Sequence, residues 1–452
     1  MKNSQIIKGV TSLVSGTLLV KIIGAIYRIP LTNFLGSTGL GLYQMIFPVY
    51  CILLDFSGSG VPGAISKIIA SHEREGREVY AVKILKTSLK LLFKIGIMGS
   101  FSLILLSYPI SVLQGDANAF LGYVTLSPAI FLVGLISCFR GYFQGLMVMN
   151  KTAVSQVLEQ VFKLAFGLLF VMALMPNVPL AVAGATFAVT ISEAVSLAFL
   201  FVSYKRKEKV VNQTVVISKE EIQVLNKRLF KITLPITITG IMIPLSHFID
   251  SFVVINVLST YLDNATSLYG IFSGMVHTVI NLPVAVLYSL AVIALPSVSS
   301  KVRGEERKTA IDRLILITGV GGAILSIFTY LFSGTVVNLL YPALSGVERE
   351  TCINLLKLSS PGVLLLSVLQ TQNATLVASD KLYVPVVSLG VSVILKTVLQ
   401  ISLLFIPSIN IYGSAIASIA CYFFAVMINF IILIRGGNKN VGKTALGMSG
   451  NA

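Results

Sequence analysis

The chain is 452 residues long, 55% of them hydrophobic and 12% charged, with a mean hydropathy of +0.89. An ordinary soluble domain carries about 25% charged residues, so this composition excludes one and implies an integral membrane protein. The formal net charge of +16 would suit nucleic acid by size alone, but alternate loops collect it, which assigns it to a membrane surface and excludes a nucleic-acid partner.

A helix needs about 20 mostly apolar residues to cross hydrocarbon. Twelve stretches qualify, with soft edges: 10–33, 42–66, 88–112, 119–146, 154–175, 180–203, 229–257, 268–297, 312–334, 353–378, 383–406 and 411–434. They are too long for barrel strands and do not alternate with period two, which leaves an all-α membrane fold. Lys2 and Lys8 precede the first stretch as in a signal peptide. However, Lys21 and Arg28 interrupt it and no small-x-small site closes it, so it reads as an uncleaved helix.

Basic residues gather after the second stretch (Lys67 to Lys94), after the sixth (Lys205 to Lys209, Lys227 to Lys231), after the eighth (Lys301 to Arg313) and at the end (Arg435 to Lys443). The opposite loops hold only Arg349 and Lys357. By the positive-inside rule both termini are expected in the cytoplasm. The four cysteines, Cys51, Cys138, Cys352 and Cys421, show no paired spacing, which argues against a disulfide framework or a zinc site.

The two halves echo each other. Gly41–Tyr43 is answered by Ser267–Tyr269, Asn150-Lys151 by Asp380-Lys381, and Ala183–Ala185 by Tyr412–Ser414, each about half a chain later. An even number of spans per half lets both copies enter from the same side. The expected layout is two six-helix lobes related by a pseudo-two-fold along the membrane normal, V-shaped around a central cavity. The lobes are 1–203 and 229–435. Residues 204–228 form a cytoplasmic linker, in which Ser218 and Glu221 have capping-box spacing before a short amphipathic helix. Residues 436–452 are a basic flexible tail. Gly437–Thr444 fits the phosphate-loop pattern by letters, but no strand precedes it, so it is read as tail.

Ionisable residues within spans are costly and therefore mark cavities or buried pairs. Lys21 and Arg28 lie seven apart on one helix face, a pair of cations suited to a diphosphate, which arginine holds bidentately. The alternative is that Lys21 pairs with Asp55 while Arg28 reaches the interface. Arg140 is either a third phosphate ligand or a snorkelling side chain. Gln156, Glu159, Gln160 and Lys163 form a stripe in which Glu159 and Lys163 can pair at i, i+4. Glu193 is a further acid in the sixth span. In the second half Asp250 and Lys396 are expected to meet, as a brace rather than a proton-sensitive latch. His277 and Asn281 share a helix face, and a lone histidine is read as hydrogen-bonded interior rather than a metal ligand.

With these residues in view, the chain resembles the multidrug/oligosaccharidyl-lipid/polysaccharide flippase superfamily, in its stage V sporulation protein B and lipid II flippase branch. The carrying stretches are Lys21–Pro30, Gly39–Gln44, Pro62–Lys67, Arg140–Gly145 and Pro244–Ser251. The resemblance implies a multi-pass protein of the bacterial cytoplasmic membrane. Its function would be export by alternating access of an undecaprenyl-diphosphate-linked saccharide, peptidoglycan precursor above all, working as a monomer with lipids and cell-wall machinery as neighbours. Arg28 stands where the family has an important arginine, although Ile29 replaces the acid that commonly follows it. Some relatives bind sodium near the position of Asp250, but Lys396 stands where a second acid would be. No cofactor is expected, and proton or sodium coupling stays open. Rival readings are an exporter of other lipid-linked repeat units, a cation-coupled drug antiporter, which would want an acidic cavity, a membrane glycosyltransferase, for which no substantial external loop exists, and a scaffold without transport.

Overall fold

The computed structural model describes residues 2–71, 77–208, 219–299, 305–344, 346–379, 381 and 383–447. Within these, the side chains at 2–18, 21–22, 25, 57, 59, 77, 207–208, 219, 235–236, 239, 290–299, 305–307 and 434–447 lie outside the description. Among the described residues the regular structure is entirely helical. Ten helices are long and apolar enough to cross a membrane, eleven when one bent pair is taken as a single span. The predicted first span, 10–33, falls in a helical stretch of α1 whose side chains are largely outside the description.

The chain divides into two compact units, Met1–Phe248 and Ile249–Ala452. In the first, α1 (Lys2–Leu54) breaks at Gly36, whose φ of 68° is open to glycine at little cost. Predicted spans one and two thus follow one another without a loop. A π-helical turn (Asp55–Ser59) and α2 (Val61–Ala70) complete the second span. Then come α3 (Arg77–Leu113), α4 (Phe120–Gly145), α5 (Met149–Leu174) and α6 (Val178–Glu208). The next helix, α7 (Lys219–Leu258), starts in the predicted linker and runs on into the seventh span. No glycine or proline interrupts it before Pro235, so the amphipathic turns and the span are one helix.

Packing in this unit depends on small residues. In a membrane, helices associate by close van der Waals contact rather than by expelling water. Gly141 and Gly145, one turn apart on α4, let α2 approach so closely that a Cβ on either would lie 2.8 Å from Ile65 or Ile69. Around this seam Val61, Ile68, Leu85, Phe139, Tyr142 and Leu229 form a buried cluster. Close to Pro48 in α1, the Met45 carbonyl accepts hydrogen bonds from Gln114 Nε2 (3.1 Å) and Tyr123 Oη (2.8 Å), partners that the membrane itself would not provide. Met98, Phe101 and Leu105 of α3 are exposed and suit lipid.

The second unit takes the end of α7, then α8 (Ala265–Tyr269), a π-helical stretch (Gly270–Val276) and α9 (His277–Ser299). It continues with α10 (Glu305–Leu331), α11 (Ser333–Leu340), α12 (Gly346–Ser359), α13 (Pro361–Ala378), α14 (Tyr383–Leu404) and α15 (Tyr412–Gly447). The bent pair is α12 and α13, which meet at 48° just before Pro361. Residues 448–452 of the predicted tail, and Ser218 of the predicted capping box, lie outside the described residues.

Candidate functional site

The first unit carries its polar side chains on four helices that pack on one another, α1, α4, α5 and α6. Arg28 is half-buried on α1, one turn before Thr32 and Asn33, whose side chains donate to the carbonyls of Arg28 (2.8 Å) and Ile29 (3.0 Å). α1 packs along α5, which carries Lys163. Lys163 lies with its ammonium 6.0 Å from the centroid of the Tyr27 ring, a cation–π position. Among the described residues no carboxylate lies within ion-pair distance of it.

Arg140 differs from expectation. It is held in a bonded cluster between three helices. Its Nη2 donates to Glu159 Oε2 at 2.8 Å and to Ser196 Oγ at 3.3 Å, and its Nε donates to Ser155 Oγ at 3.0 Å. The two charged side chains are only 15% and 17% exposed. Gln160 Nε2 donates to Glu159 Oε1 at 3.2 Å. Glu159 therefore pairs with Arg140 across two helices, not with Lys163 on its own helix. The reason is geometric: a planar guanidinium between α4, α5 and α6 serves a carboxylate and two hydroxyls at once, which an i+4 ammonium cannot do. Ser155 and Ser196 went unnoticed in the sequence, although each stands three or four residues from an acid already singled out.

Asp55 opens the π-helical turn. Its backbone carbonyl accepts from Thr237 Oγ1 at 3.2 Å, and its carboxylate lies against Gly240, both on α7. The side chain of Lys21 lies outside the described residues, so its expected face-sharing with Arg28 and its pairing with Asp55 stay expectations.

In the second unit Lys396 Nζ donates to Asp250 Oδ2 at 2.5 Å, with both side chains 4% exposed. Gln400, one turn beyond Lys396, donates to Ser414 Oγ at 3.2 Å. His277 and Asn281 line one small cavity with Ser359, Ser418 and Tyr422, and the imidazole packs on Phe272 with ring centroids 4.5 Å apart. No group of three or more His, Cys, Asp or Glu suited to a metal ion occurs among the described residues. A sodium ion does not fit beside Asp250, because Lys396 already holds that carboxylate and would repel a second cation.

Residues 6–302 match the family described as polysaccharide biosynthesis protein. The chain belongs to that family. Among similar proteins of Bacillus subtilis (strain 168) are stage V sporulation protein B, 26% identical over 92% of this chain and 81% of the relative, and the lipid II flippase MurJ, 26% identical over 96% and 83%. The fold is shared with an inward-facing multidrug resistance MATE family transporter of the MOP superfamily (TM-score 0.68, 17% identity, 93% and 94% of the two chains). An outward-facing structure from the same transporter family also matches, with a TM-score of 0.60 at 17% identity. This polysaccharide biosynthesis family member is thus an all-helical, multi-pass membrane protein with a transporter fold.

Proposed function

We propose that the chain is a flippase exporting an undecaprenyl-diphosphate-linked saccharide, lipid II above all, across the bacterial cytoplasmic membrane by alternating access. Twelve spans in two repeated halves, with both termini cytoplasmic, would carry it, as a monomer near the cell-wall synthesis machinery. The observation that carries the reading is the presence of cations on two helices packed against each other, Arg28 on α1 and Lys163 on α5. Cations in a low-dielectric interior attract an anionic headgroup more strongly than they would in water. A relative named lipid II flippase, similar along nearly the whole chain, supports the choice of cargo.

In this reading Arg28 and Lys21 hold the diphosphate. Arg140 joins them only by exchanging Glu159 for phosphate, and otherwise positions that acid. Asp55, Glu159 and Lys163 shape the polar interior of the first unit, and Asp250, Lys396, His277 and Asn281 that of the second. Outward movement of an anion is favoured by an inside-negative potential, by about 2.3 kcal/mol per charge per 100 mV, so no cofactor and no sodium gradient is required. In vesicles carrying lipid II, Arg28→Ala and Lys21→Ala should each slow translocation at least about tenfold, the equivalent of about 1.4 kcal/mol. Unchanged rates in both would remove the diphosphate site. Export of other lipid-linked repeat units is the second reading, favoured by the family's description; competition between lipid II and such a repeat unit separates the two.

A further inference from the structure

Among the described carboxylates of the first unit, Glu193 is the buried one left incompletely served. It sits mid-helix on α6, 5% exposed, and its Oε2 has no hydrogen-bond partner. The charged and titratable groups around it come from every longer helix packed on α6: Arg140 from α4, Glu159 and Lys163 from α5, and the Tyr50 phenol from α1. On α1, Cys51 and Tyr43 in turn neighbour Tyr50, and Arg28 neighbours Tyr43; the short turn Ala117–Ala119 adds no ionisable group.

None of these settles an ionised Glu193. Arg140 spends its bonds on Glu159, Ser155 and Ser196. Lys163 lies over Tyr27 instead of within ion-pair distance of either acid. The Tyr50 hydroxyl approaches but makes no well-formed hydrogen bond. An ionised carboxylate with an open oxygen in such an interior costs several kcal/mol, and accepting a proton removes that cost while supplying an O–H donor. The flexible stem of Lys163 offers the opposite solution. Turned from Tyr27 toward the open oxygen, its ammonium would stabilise the ionised form.

We infer that Glu193 is a proton-binding site: it takes a proton from water when Lys163 lies on Tyr27 and returns it to water when Lys163 turns to the carboxylate. This gives the chain a proton-linked step that does not depend on which cargo it moves. Infrared difference spectra of the full chain in lipid nanodiscs, acid minus alkaline, test it without any substrate. The wild type should show a protonated-carboxyl band that Glu193→Gln removes and Glu193→Asp shifts, and titration should count one proton fewer in Glu193→Gln. A band and proton count unchanged in Glu193→Gln overturn the proposal. If that variant does not fold, an unshifted band in Glu193→Asp overturns it equally. Because no lipid-linked diphosphate is present, failure here leaves the cargo reading untouched.

Discussion

The interiors of the two units handle buried charge in opposite ways. Among the described residues, the second unit pairs Asp250 with Lys396, short and almost wholly buried. The first spreads its charges over four helices and leaves them unevenly served: Arg140 satisfies Glu159, Lys163 rests on a ring, and Glu193 keeps an open oxygen. A saturated pair braces helices and holds one arrangement. An unsaturated cluster has more than one arrangement of similar energy, and it can gain from an arriving anion or proton. The contrast is between a closed pair in the second unit and a cluster with bonding capacity to spare in the first.

Five single substitutions and one double variant sharpen that contrast. The largest effect is expected from Lys396→Ala, which strands Asp250 in the interior and should cost about 3–5 kcal/mol of stability. Thermal unfolding in detergent measures it, and Asp250→Leu combined with Lys396→Met should recover most of the loss. If the double variant is as unstable as the single one, the pair is not a simple brace. Next, Glu159→Gln takes the carboxylate from Arg140, and losing a charged hydrogen bond of this kind costs about 1.5–3 kcal/mol. The same melting experiment on Ser155→Ala should show the smaller loss of a neutral partner. Gly141→Ala tests the seam beneath the cluster. Its new Cβ meets Ile65 and the Pro62 backbone, and overpacking of this kind costs about 1–3 kcal/mol. The local fit of α2 sets where in that range it falls. Smallest of all, Lys163→Met should change the melting temperature little, by less than about 1 kcal/mol, because only a cation–π contact is lost. A loss as large as that of Lys396→Ala would show that Lys163 is as firmly paired as its counterpart and would erase the contrast.

Much of this was readable before any coordinates. The apolar stretches located the helices, since nothing but a self-satisfied backbone crosses hydrocarbon. The ionisable residues inside those stretches named nearly every member of both polar interiors. What misled was adjacency along one helix: Glu159 and Lys163 stand at pairing distance on α5, yet the carboxylate takes its partner from α4. The loopless turn from the first to the second span also went unseen. It rests on the dihedral angles of a single residue, Gly36, which no hydropathy pattern registers.

Composition and periodicity by themselves determined that this is a helical membrane protein, and located most of its long apolar helices and the ionisable residues on them. Each of these depends only on a residue's chemistry against the solvent around it. Only tertiary structure decided who neutralises whom, placing Asp250 on Lys396 across 146 residues and Arg140 on Glu159 across 19. Such pairings follow from how closely helices approach and at what rotation. Those are set by small-residue seams such as Gly141 and Gly145 against Ile65 and Ile69, a property of two surfaces together and of neither helix alone.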